Sequence, residues 1–148
     1  MTTVRVVGVA DLDVVVELIA EHAEYERAAP PAAGLGERLG GLLFGPLARL
    51  RCFVAETDQG VVGYATCVAE VSTWDGGEYL HMDCLYLRPG ARGRGVGQLL
   101  FEAVREQAKV LGLKEIQWQT PGWNEGAVRF YGRLGATAVE KVRFTLSG

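Results

Sequence analysis

The chain has 148 residues, 49% hydrophobic and 22% charged, with a formal net charge of −3 at pH 7. That size and balance describe one globular domain, residues 1–148, able to bury a core of its own. They exclude a membrane span, for which no apolar run approaches ~20 residues, and they lack the basic footprint of a nucleic-acid binder.

The first segment, Thr3–Val9, is short and β-branched and predicts a strand. The N-terminal residues show none of the zones of a signal peptide, so a cytoplasmic protein is expected. Ala10–Arg27 places Leu12, Val15, Val16, Ile19 and Ala23 on one helical face, with Asp11 as the expected cap. The Pro/Ala/Gly-rich stretch Ala28–Gly36 must end that helix as a loop. Glycines interrupt the helical spacing of Glu37–Leu50 that follows. Arg51–Thr57 and Val61–Val71 read as strands joined through Asp58-Gln59-Gly60, and Glu78–Leu87 as another that runs into a glycine-rich loop. Cys52, Cys67 and Cys84 each lie in one of these apolar strands. They lack the spacing of a zinc site or a disulfide framework and read as buried, reduced thiols. No metal is expected.

Beyond the loop, Val96, Leu100, Ala103, Val104, Ala108 and Leu111 form the apolar face of a helix that Gly112 stops. Lys114–Thr120 predicts a strand. Asn124–Gly135 predicts a short helix capped by Asn124, and Thr137–Leu146 a closing strand. The expected order is β-α-α-β-β-β-α-β-α-β. It describes an α/β fold with a mixed, mostly antiparallel sheet flanked by helices.

The loop Gly90–Gly97 combines glycines with Arg92 and Arg94 directly before a helix start. The first N–H groups of a helix have no internal partner and carry partial positive charge. Glycine lets a phosphate approach them, and arginine adds charge-assisted bonds. A phosphate-binding P-loop is excluded because no Gly-Lys pair exists in the chain, and the dinucleotide pattern GxGxxG fails at Gln98 and at Leu100. A turn that serves only tight helix–strand packing remains the plainer reading.

Arg92-Gly93-Arg94-Gly95-Val96-Gly97 resembles R/Q-x-x-G-x-G/A, the coenzyme A signature of the GNAT superfamily of acyl-CoA-dependent acetyltransferases. The order of elements around it looks like that fold from end to end. Gly122–Ala136, "GWNEGAVRFYGRLGA", is similar to the later motif of the same family. "EHAEYER" and "WNEGAVRFYGRLGA" together resemble the diamine (spermidine/spermine) N-acetyltransferase branch. That branch carries a Glu-Asp pair where this chain has Asp83-Cys84, which puts a highly charged polyamine in doubt.

The resemblance implies an enzyme that moves an acetyl group from acetyl-CoA to a primary amine of a small molecule. The donor's pyrophosphate would rest on Arg92, Gly93, Arg94, Gly95, Val96, Gly97 and Gln98. Its pantetheine arm would lie along Leu85, Tyr86 and Leu87, with Asn124 bonded to it, and Tyr131 would protonate the departing thiolate. Asp83 is the candidate to take the amine's proton, because an unpaired carboxylate inside an apolar strand is costly to keep. His81 shares its face, and Tyr25 and Glu26 suit a cationic acceptor. Plainer readings stand beside these: core packing for Tyr131, a helix cap for Asn124, a salt bridge for Asp83, a structural role for His81 and a solvated helix end for Tyr25 and Glu26. Alternative functions are acetylation of a protein N-terminus or lysine, and acyl-CoA binding without catalysis. A homodimer is expected from the resemblance.

Overall fold

A computed structural model describes residues 1–148. The chain divides into two compact units, Met1–Trp118 and Gln119–Gly148. The first contains strand β1 (Thr3–Val6), helices α1 (Leu12–Tyr25) and α2 (Leu35–Phe44), strands β2 (Arg51–Thr57), β3 (Gly60–Ser72) and β4 (Gly77–Leu87), helix α3 (Val96–Val110) and strand β5 (Ile116–Gln117). The second holds helix α4 (Glu125–Arg133). The fold is α/β, as expected. Its sheet has the order β1-β2-β3-β4-β5, with β1 to β4 antiparallel and β5 parallel to β4.

Alternation along the strands sends residues to two faces. On one, Cys52, Val54, Tyr64 and Tyr86 pack with Val15 and Leu18 of α1 and Leu39 of α2. On the other lies α3, whose Leu100 and Val104 are fully buried. Gly63 marks the close approach of β3, β4 and α3: a Cβ there would run into the Leu87 side chain and lie 2.7 Å from the Tyr86 carbonyl oxygen. Helix α2 forms despite its glycines; a Cβ at Gly40 would meet Leu12 at 3.5 Å, an ordinary contact. Cys52 and Cys67 are buried and free, and burial pushes their thiols up to about 12 and about 11. Cys84 is free but only half-buried.

Several expected boundaries change. Strand β1 stops at Val6 because Arg5 donates to Asp11 at 2.7 and 2.9 Å and Gly8 N–H donates to the same carboxylate at 2.7 Å. This folds Val9–Asp11 into a 3-10 turn. Asp11 stands at the start of α1, but its carboxylate caps that turn and not the helix. Strand β5 is two residues long. The closing strand expected over Thr137–Leu146 does not form. A strand needs a neighbouring edge for its N–H and C=O groups, and the unit Gln119–Gly148 contains none. Val139, Val142, Phe144 and Leu146 are left 78–95% exposed.

Candidate active site

Strand β4 positions most of the expected residues. Its register with β3 pairs Cys84 with Thr66 and then Met82 with Cys67, so Asp83 bulges out of the ladder. Strand β5 pairs with β4 only at Leu80 and His81, and from there to Leu87 that edge is open. Beyond the bulge, Arg88 N–H bonds Val62 O at 2.9 Å, which fixes the phase of the ladder. Cys84, Tyr86 and Arg88 face β3, whereas Leu85 and Leu87 turn their N–H and C=O groups to the open edge. Leu87 O accepts from Arg92 Nε at 3.0 Å.

The bulge changes the standing of Asp83. Its side chain is 62% exposed, so the expectation of a carboxylate buried in an apolar strand is overturned. It is not solitary: His81 Nε2 lies 3.6 Å from Oδ1, and the Cys84 thiol donates to Oδ2 at 3.8 Å. His81 therefore accompanies Asp83 although the bulge breaks the alternation that suggested it.

A 3-10 turn at Pro89–Ala91 leads into the glycine loop. Gly93 and Gly95 have φ of +77° and +79°, conformations that side chains other than glycine rarely adopt, and a Cβ at either would point into open space. Gly95 caps α3, and the first bond of the helix runs from Leu99 N–H to Gly95 O at 3.2 Å. The N–H groups of Val96, Gly97 and Gln98 precede that bond and aim out of the helix start. Arg94 and Gln98 are exposed. Arg92 is turned toward α1, its guanidinium 4.6 Å from the Tyr25 ring centroid and 5.5 Å from that of Tyr86. The Tyr25 ring, expected to meet a cationic acceptor, thus already carries a cation of this chain.

Glu26 is also engaged, its Oε2 lying 2.8 Å from His22 Nε2. In the second unit, Asn124 is buried and its Oδ1 accepts Ala127 N–H at 3.2 Å, a helix cap as the sequence implied. Tyr131 lies on α4 with its ring centroid 5.3 Å from that of Phe130.

The model of the family described as "Acetyltransferase (GNAT) family" matches residues 17–136. The chain belongs to this family. A GNAT relative, thialysine N-epsilon-acetyltransferase of Bos taurus, is 32% identical over 130 residues, covering 82% of this chain and 76% of the relative. Another, the D-amino-acid N-acetyltransferase of Saccharomyces cerevisiae, is 32% identical over 106 residues, 72% of this chain and 62% of its own. The crystal structure of a transcriptional regulator from Bacillus halodurans superposes with a TM-score of 0.83 at 23% identity, covering 99% of this chain and 100% of that one, and shows the same fold. The protein is accordingly an acetyltransferase.

For a GNAT enzyme this β4 edge and loop offer two complementary surfaces: a strand edge for an amide-bearing arm and a row of N–H groups for an anion. Sequence reasoning missed His22 and Tyr64. The four-residue spacing of His22 and Glu26 on α1 was a visible signal. The Tyr64 contact joins residues 42 positions apart and left none.

Proposed function

We propose that this acetyltransferase moves the acetyl group of acetyl-CoA to a primary amine of a small molecule, by direct attack of the amine on the thioester. The observation that carries this reading is the open edge of β4 at Leu85 and Leu87, which continues into the N–H row of Val96, Gly97 and Gln98. The row and Arg94 suit a pyrophosphate. Leu85, Tyr86 and Leu87 suit the pantetheine amides as an added strand would, with Asn124 a further polar contact on motif grounds. Arg92 braces the loop, and the open space before Gly93 and Gly95 leaves the approach unobstructed.

An alkyl ammonium, with pKa near ~10.4, must lose a proton before it attacks. Asp83, exposed beside His81, takes that proton. The amine nitrogen then bonds the acetyl carbon, the C–S bond breaks with its electron pair on sulfur, and the sulfur takes a proton from Tyr131, a role supported by the later motif. Tyr25 and Glu26 stand at the end of α1 as acceptor-side residues. The two relatives, named for thialysine and D-amino acids, support an acceptor of amino-acid size. Asp83-Cys84 in place of a double carboxylate supports a lightly charged amine.

Thiol release from acetyl-CoA with a panel of small primary amines tests the reading. Turnover is expected with at least one, and Tyr131→Phe should lower kcat about 10²-fold with acetyl-CoA affinity unchanged. Binding of acetyl-CoA without turnover on any amine overturns it, and full kcat in the variant removes the Tyr131 role.

Three coarser proposals accompany it. Residues 1–148 act as one acetyltransferase domain, supported by a family match that crosses from one unit into the other. The protein works in the cytoplasm, supported by its three free cysteines. It forms a homodimer, supported by the exposed apolar residues Val139, Val142, Phe144 and Leu146.

A further inference from the structure

Arg92 is the last residue before the two positive-φ glycines, and its backbone and side chain are both held. Its N–H donates to Pro89 O at 3.2 Å, which closes the 3-10 turn. Its Nε donates to Leu87 O at 3.0 Å. Its guanidinium then reaches across to α1, 4.6 Å from the Tyr25 ring centroid and 5.5 Å from that of Tyr86. The two rings stand 6.2 Å apart with their planes tilted by 56°, an angled seat for a flat cation.

Tyr86 is the fixed wall of this seat. It is 7% exposed, pairs with Tyr64 on β3 and stacks on the His22 ring with centroids 5.1 Å apart. Its hydroxyl reaches Glu21 Oε1 at 3.5 Å, and Arg88 Nη2 holds the other oxygen of that carboxylate at 2.9 Å. Tyr25, the last residue of α1, is the outer wall and is 40% exposed.

We propose that Tyr25 and Tyr86 seat Arg92 so as to hold the glycine loop in its donor-binding form, which makes Tyr25 of α1 a determinant of acetyl-CoA affinity. Tyr25 is in this a positioning residue, since it acts through Arg92. The inference rests on the donor site proposed above and adds to it a residue from a different element.

The physical case begins with the glycines. Gly93 and Gly95 have no side chain to anchor them, and glycine loses more conformational freedom on ordering than any other residue. The anchors lie on either side: Val96, 3% exposed, in the core, and Arg92 in its seat. Holding both ends orders the loop before a ligand arrives, and such preorganisation raises affinity without a new contact to the ligand. Arginine suits the seat because its guanidinium is flat, weakly hydrated and attracted to an aromatic face. With Nε committed to Leu87 O and the guanidinium over the Tyr25 ring, Arg92 leaves direct charge contact with a pyrophosphate to the exposed Arg94.

Calorimetric titration of the whole chain with acetyl-CoA tests the seat. The proteins compared are wild type, Tyr25→Phe, Tyr25→Leu, Arg92→Gln and the double variant carrying Tyr25→Leu and Arg92→Gln. Both positions are exposed, and a thermal melt of each variant checks that it is folded. Tyr25→Phe keeps the ring face and should bind with the wild-type Kd. Tyr25→Leu should weaken binding about 5-fold, the size of one partly exposed cation–π contact. Arg92→Gln empties the seat from the other side and should weaken binding at least as much. In that background Tyr25→Leu should add nothing. An equal loss from Tyr25→Leu with and without Arg92 overturns the seat, because Tyr25 then acts by another route. An equal loss from Tyr25→Phe and Tyr25→Leu overturns it in favour of the hydroxyl. An unchanged Kd in Tyr25→Leu overturns it while the donor site stands, and a raised amine KM in that variant would make Tyr25 an acceptor residue alone. If the wild type binds no acetyl-CoA, the donor site falls and the seat's role falls with it.

Discussion

Asp83 and Asp11 show how neighbours decide what a carboxylate does. Asp83 stands out of the ladder with His81 and the Cys84 thiol at its two oxygens, available to a partner from solution. Asp11 is closed off, held by Arg5 and by Gly8 N–H, and the Arg5 hydrogen bonds keep its carboxyl below the ordinary carboxylate range. A group whose folded value is depressed stabilises the protein fully above its unfolded value, near ~4, and loses that contribution as the pH falls through the folded one. Urea unfolding should therefore show Asp11→Ala weaker by about 1–3 kcal/mol at neutral pH, with the gap to wild type closing in acid. A gap independent of pH would show that the Arg5–Asp11 pair is not its source. The residue types at both positions were legible in sequence. Their exposures were not, because one depends on a register shift against β3 and the other on a turn closed by Arg5 and the Gly8 N–H.

Among elements, the unit from β4 to α3 was the most legible. Its glycines and the clean apolar face of α3 are local signals, and the structure realises both within a few residues. What escaped was whatever depends on a neighbour. The bulge in β4 is a mismatch between two strands. The expected closing strand has the right alternation but no edge to pair with in its unit, so alternation alone did not make it a strand. For the loop, Gly95→Val places a β-branched residue at φ +79°, a conformation such residues avoid. Titration should show acetyl-CoA binding weakened at least about 10-fold, which corresponds to ~1.4 kcal/mol. An unchanged Kd would exclude the loop as the donor cradle.

At the scale of the molecule, family membership and α/β class agree with what the two motifs implied. If the open edge and N–H row hold acetyl-CoA, the ligand must stabilise the folded chain. At a concentration about 100 times Kd it adds ~2.7 kcal/mol, a rise in Tm of roughly 5–10 °C for a chain of this length. Differential scanning calorimetry reads that directly, and an unmoved Tm at saturating acetyl-CoA would contradict the donor site. The bulge itself is a matter of parity. Over the same stretch β4 spends one residue more than β3, so the even–odd count of the strand reverses at Asp83. Before it, Leu80 gives its N–H to the neighbouring Glu115 carbonyl; after it, the residues in that orientation are Leu85 and Leu87, where no strand follows. Deleting Asp83 would leave Met82 and Cys84 adjacent opposite Cys67 and Thr66 and remove the bulge, with Tyr86 still paired to Tyr64. A single surplus residue thus separates the part of β4 that pairs with β5 from the part whose outer edge is open.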